Sequence, residues 1–149
     1  MLIALFLCIG FMIAVLYIDL QFDLLAVPHR RTGGQLPASV LGQIAAYYGC
    51  ITKNPYLLMF VMLTTLTCLI AEVAYDLVPR WAGYTSLFLM AVSMAGGTFK
   101  VIPTAQRLAA GKDTLDEQTR MVHSIFPFHV LLLVSILLLA AVQFSTTFK

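Results

Sequence analysis

The chain has 149 residues, of which 60% are hydrophobic and only 11% charged, whereas soluble globular proteins run about 45–50% apolar and about 25% charged. These proportions describe a membrane protein of one domain's length. A net charge of +2 carried by nine Lys and Arg is too sparse for the basic stripe that a nucleic-acid surface needs, so nucleic acid is set aside as a partner. Cys8, Cys50 and Cys68 cannot all pair and form no C-x-x-C, which sets aside thiol–disulfide exchange.

Four apolar segments, about 2–20, 55–75, 82–102 and 127–143, each approach the roughly 20 helical residues that cross a hydrocarbon core. The first lacks a basic leader and an A-x-A cleavage site and runs into Asp19 and Asp23, so it is expected to stay attached. Four spans place the connections 26–54 and 103–126 on one side. With the end of span three, these carry Arg30, Arg31, Lys53, Lys100, Arg107, Lys112 and Arg120, against Arg80 and Lys149 on the other. The positive-inside rule then puts the long connections in the cytoplasm and both termini outside it, with Trp81 and Tyr84 at the outer interface.

Asn54-Pro55 reads as a cap and first turn that open span two. Before it, the stretch 37–51 sets Val40, Leu41, Ile44, Tyr48 and Ile51 at helical spacing. That pattern predicts a short helix that either lies flat on the interface or packs on the bundle. In the second connection, 104–110 predicts a short helix stopped by Gly111, and Asp113 caps a further helix whose first turn holds Asp116 and Glu117. Pro127 interrupts this helix and frees the carbonyl of His123, so a kink is expected. The fold expected is an all-α, integral membrane, antiparallel four-helix bundle with one or two short helices on the cytoplasmic side.

An ionisable side chain at the centre of a membrane helix costs about 2.5–3.5 kcal/mol on insertion scales, so those that remain need a reason. Depth from the topology brings Asp19 and Asp23, Lys100, His123 and His129 to one cytoplasmic rim, with His29 just past Pro28 able to join them. Glu72 and Asp76 fall at the other end. Asp19 and Asp23 are four apart and share a helix face, and Lys100 lies at the matching depth. One reading is a Lys–Asp contact that packs span one on span three, with Lys100 otherwise snorkelling. The other is a pocket in which Asp19 accepts a hydrogen bond or proton from a lipophilic substrate and Lys100 stabilises a developing anion. A packing role needs these groups paired and closed off, and catalysis needs an open pocket with groups left for substrate.

Carboxylate and imidazole together suit zinc or non-haem iron, but His123 and His129 are six apart, which argues against a metal and further against a haem. No cofactor is named by these residues. In span three, Ser93-x-x-x-Gly97 and Ala91-x-x-x-Ala95 are small-residue pairs that permit close helix approach, within the chain or between copies. Thr64, Thr65 and Thr67 are expected to bond back to their own helix.

The order Asp19-Leu-Gln-Phe-Asp23, then Val27-Pro-His-Arg-Arg-Thr-Gly33, then Lys100-Val-Ile-Pro103, with His129 opening the last span, resembles small four-helix bacterial membrane proteins related to anthrone-oxygenase-like domains. The resemblance implies a bacterial inner membrane location, and members with that activity imply cofactor-free oxidation of a polyketide phenol. No catalytic motif matches residue by residue, so no catalytic role is carried over. Length and span number are also similar to the glutathione-using eicosanoid enzymes of membranes, whose Arg- and Asn-containing helix motif is missing. With little mass outside the spans, the expected partners are membrane lipids and a lateral neighbour, a second copy or a larger assembly. The functional expectation is an accessory subunit or lipophilic-ligand-binding module. The alternative is a membrane enzyme acting on a lipophilic phenol, quinone or isoprenoid through Asp19, Asp23, Lys100 and His129.

Overall fold

The computed structural model describes residues 1–30, 34–53 and 55–147, which therefore exclude the Asn54 cap, Arg31 to Gly33 and Lys149. The described residues are helical apart from turns and short connections, with no strand among them. The helices are α1 (Leu2–Leu24), α2 (Val27–Arg30), α3 (Ala38–Ile51), α4 (Tyr56–Ala74), α5 (Arg80–Gly96), α6 (Ile102–Ala110) and α7 (Leu115–Thr147), with a π-helical turn, Gly97–Val101, joining α5 to α6. Four helices are long and apolar enough to cross a membrane: α1, α4, α5 with its continuation, and α7. The first two agree with the hydropathy spans to within a few residues, whereas α5 with its continuation and α7 run on to 31 and 33 residues, because a helix continues past the apolar stretch wherever its backbone stays satisfied.

Punctuation in the sequence sets the boundaries. Pro37, Pro55 and Pro79 stand at the N-caps of α3, α4 and α5, where the missing N–H costs no helical hydrogen bond. Gly111 ends α6 with φ +60, the left-handed conformation that a side chain resists. Asp113 does not cap α7. Thr114 does, in a reciprocal pair with Glu117: the Glu117 amide donates to Thr114 Oγ1 and the Thr114 amide to Glu117 Oε2, each at 3.3 Å. Asp113 instead accepts from the exposed Arg107 guanidinium at 2.7 Å. Pro127 lies inside α7, which continues through it.

In the bundle α1 packs on α4 and α7, and α5 packs on the same two, so the four spans close a ring of antiparallel neighbours. Leu5, Ile9, Leu69, Met90, Ile136 and Leu139 fill its centre, while Phe60, Phe88 and Leu137 point outward. In lipid that sorting reflects packing, since hydrocarbon is as apolar as leucine. Close approach is visible at Gly83, where a Cβ would stand 2.6 Å from Val73 Cγ2, and at Gly96, where it would stand 3.0 Å from Leu132 Cδ2. Of the small residues in span three, Gly96 therefore serves contact within the chain, whereas Ala91 and Ala95 are exposed. Thr65 and Thr67 bond back to Val61 and Leu63 carbonyls, at 2.9 and 2.8 Å.

α3 takes the second of its two expected placements. It packs on α6 and touches α1 and α7, burying Leu41, Ile44 and Tyr48 against Leu108, Val122 and Ile125. The approach to α3 is tied to α7 as well: the Leu36 backbone amide donates to Thr119 Oγ1 at 3.1 Å and Gln35 Nε2 to Asp116 Oδ1 at 2.6 Å. One end of the bundle, the end of the long connections, is thereby covered by a helical layer.

Candidate functional site

Beneath that layer α1, α3 and α7 each contribute polar side chains to one buried group. Asp19 and Asp23 project from the last two turns of α1, and both are buried, at 7% and 1% exposure. His129, wholly buried on α7, places Nδ1 2.6 Å from Asp23 Oδ2 and Nε2 3.9 Å from Asp19 Oδ2. From α3, the Tyr47 hydroxyl donates to Asp19 Oδ1 at 2.7 Å and the Tyr48 hydroxyl to Asp23 Oδ1 at 2.9 Å. The Tyr47 ring stacks on Phe22 of α1, with centroids 3.8 Å apart and planes 11° apart. Burial, reinforced by the facing carboxylates, pushes both tyrosine hydroxyls well above the ordinary value, so both stay protonated donors.

Asp23 accepts from the Tyr48 hydroxyl on Oδ1 and shares one hydrogen bond with the imidazole through Oδ2. Nε2 of His129 is buried, faces Asp19 and makes no hydrogen bond.

The remaining expected members are placed differently. Lys100 pairs with neither acid: its Nζ stands 5.9 Å from the centroid of Phe128, a cation–π contact. It lies in the π-helical turn and faces Phe128 of α7. His123 lines a void of about 10 Å³ together with Asp23, Val122 and Phe126. His29 sits half-buried on α2. Among the described residues, no three His, Cys, Asp or Glu side chains converge so as to hold a metal ion.

Next to the cluster, inside the ring of spans, is a cavity of about 80 Å³. Met12 and Leu16 of α1, Met62 of α4, Ser93 of α5 and Leu132 of α7 line it, and Asp19 is the one ionisable residue in its wall. Gly97 lines it too, and a Cβ there would meet nothing within 4 Å. His129, Leu132 and Ile136 follow one face of α7 at spacings of three and four, so the imidazole lies one turn below the lining residues.

A second buried polar group occupies the far end of the ring. Gln143 of α7 donates through Nε2 to Glu72 Oε2 at 2.8 Å and to Ser86 Oγ at 3.0 Å, and all three residues are buried. The Gln143 Oε1 atom has no hydrogen-bond partner. The sequence placed Glu72 at this end but named neither partner.

Tyr47 and Tyr48 are the site residues that the sequence reading missed as such. The available signal was a Tyr-Tyr pair in a short amphipathic helix next to two acids that lacked partners. The chain matches no family model, no curated protein and no solved structure.

Proposed function

We propose that the protein is a lipophilic-ligand-binding module of the membrane, with Asp19 as the polar anchor at the end of an apolar cavity. The observation that carries this reading is the cavity wall: four spanning helices supply apolar side chains and a single ionisable group, the arrangement by which ligand sites fix orientation with few polar contacts. Tyr47, His129 and the Asp23–Tyr48 pair hold Asp19 and its surroundings in place, so the anchor is preorganised rather than free to collapse onto a neighbour. The positive-inside count puts this end of the bundle in the cytoplasm, and with it both termini outside. A cysteine introduced at Gly111, in a chain whose Cys50 has been replaced, is expected to resist an impermeant thiol reagent in intact cells, while one appended after Lys149 is labelled.

A second reading, a membrane enzyme, is favoured by one observation: the unbonded Nε2 of His129, oriented by Asp23. The experiment for the leading reading is mass spectrometry and absorption spectroscopy of gently purified protein beside its Gly97→Val variant. Gly97 borders the cavity and its Cβ position is open, so valine is expected to leave the bundle folded and abolish a stoichiometric bound lipophile. A folded wild type that carries none, under conditions that retain bound lipid, refutes the module.

A further inference from the structure

The cavity beside Asp19 has a closed side and an open one. Its wall residues Met12 of α1, Met90 of α5 and Leu132 of α7 are buried. Leu58 and Met62, which α4 supplies, are only half-buried, and so are Gly97 and Val101 of the π-helical turn. α4 is held by α1 and α5, whereas the turn is held by α5, α6 and α7. Between α1 and α4 the wall is drawn together, because Leu16 and Met62 pack on the same apolar cluster. Val101 packs instead on the cluster under α3, so the opening lies between Leu58 and Val101. Their chain neighbours Met59 and Phe99 are exposed. The opening is therefore framed by apolar side chains on helices long enough to cross a membrane, and it faces hydrocarbon rather than water.

Size decides what passes. A volume of about 80 Å³ is less than three times the roughly 30 Å³ that a water occupies in the liquid, and well short of the roughly 150 Å³ cavity that takes up benzene. Met12, at the deep end, is two turns of α1 from Asp19, about 10 Å. Such a space takes a polar end and a few methylenes but no ring beside that end, and the rest of a longer chain must leave through the opening. Building on the ligand-module reading, we infer that the ligand is a single-chain amphiphile, unbranched next to its polar end, that enters sideways from the hydrocarbon between α4 and the π-helical turn. Its polar end meets Asp19 and its far end stays among the lipid chains.

The test uses the full chain in phosphatidylcholine nanodiscs, with retention read by native mass spectrometry. An alcohol is the probe, because a hydroxyl pairs with Asp19 whether the carboxyl is protonated or not. Dodecanol and dodecanol with a phenyl ring at its far end are expected to be retained alike, since that ring lies outside the opening. Para-octylphenol, whose ring adjoins the hydroxyl, is expected to be retained at least about tenfold less. Leu58→Trp narrows the opening at a half-buried position and is expected to slow exchange of bound dodecanol about tenfold, whereas Leu137→Trp, on the outward face, leaves it unchanged. Loss of the far-end phenyl probe alone marks an enclosed cavity and overturns the inference, as does exchange that Leu58→Trp does not slow. Para-octylphenol held as tightly as dodecanol overturns the slender chain, and no retention of any probe overturns the inference whole. The module reading falls separately, when gently purified protein carries no stoichiometric lipophile.

Discussion

The Tyr48 hydroxyl is the part of the buried cluster most easily removed without disturbing anything else. Tyr48→Phe keeps a ring that is wholly buried against α6 and α7 and deletes one oxygen, whose hydrogen bond ends on Asp23 Oδ1 at 2.9 Å. A hydrogen bond to a charged group contributes about 1.5–3 kcal/mol, so the substitution is expected to destabilise by about that amount. Asp23→Ala removes their shared partner and leaves two buried polar groups unpaired, the Tyr48 hydroxyl and His129 Nδ1. At about 1–3 kcal/mol each, the cost is about 2–6 kcal/mol. The double variant has only one orphan, so the two single losses should exceed the double by about 2.5–6 kcal/mol. Tyr47→Phe, at a half-buried position where water can replace the lost group, should cost less than Tyr48→Phe. Equilibrium unfolding in mixed SDS micelles, followed by circular dichroism, reads all four variants. Additive losses within about 0.5 kcal/mol, or a Tyr47 variant worse than the Tyr48 variant, would show that the hydroxyl–carboxylate bonds do not hold α3 on the bundle.

Two further outcomes follow from other groups. Gln143→Leu strips the donor from both Glu72 and Ser86 and is expected to cost about 2–4 kcal/mol, whereas adding Glu72→Leu removes the stranded carboxyl and should recover most of the loss in the same unfolding assay. Tyr47 and Tyr48 are held protonated above the ordinary tyrosine value of about 10 in the folded chain. Their contribution is therefore fully present below about pH 10 and declines as the pH rises beyond it, because only the unfolded chain releases those protons freely. The Tyr47→Phe/Tyr48→Phe variant should show a shallower alkaline loss of stability than wild type between about pH 10 and pH 12, and an unchanged slope there refutes the assignment.

The spans were legible because hydropathy over about 20 residues is a local property, read without knowledge of neighbours. Gly111 as a stop and the helix over 37–51 were legible for the same reason. The acids and His129 stood out as ionisable groups at the ends of apolar runs, and they do meet. Lys100 did not join them because matching depth fixes only one coordinate, and a π-helical turn changes the direction in which a residue projects. Tyr47 and Tyr48 are adjacent, so a helix points them about 100° apart. That both reach α1, one to each acid, follows from how α3 lies across the bundle end, which no periodicity records. Gln143 carried a signal that depth would have exposed, as an amide inside the last span opposite Glu72, but a polar residue without charge attracts less scrutiny than an ion.

The π-helical turn also explains the interior cavity beside Asp19. Ser93, Gly97 and Val101 line it at spacings of four. In a regular α-helix eight residues overshoot two full turns by about 80°, so Ser93 and Val101 would diverge around the axis. Over Gly97–Val101 the backbone winds more slowly, with hydrogen bonds to the fifth residue rather than the fourth. The slower winding reduces that divergence and keeps the three positions on one wall. Two of them are small residues, so the wall they form stands back from α1, and the space fills with neither protein side chain nor backbone. At the far end α5 is regular, Gly83 lets Val73 approach closely, Gln143 supplies the donor to both Glu72 and Ser86, and the space there is an open groove between α1 and α7, lined by Phe6, Gly10 and Phe144. The same ring of four helices thus holds two buried polar clusters, and the local winding of one helix leaves an interior cavity beside the one that contains Asp19.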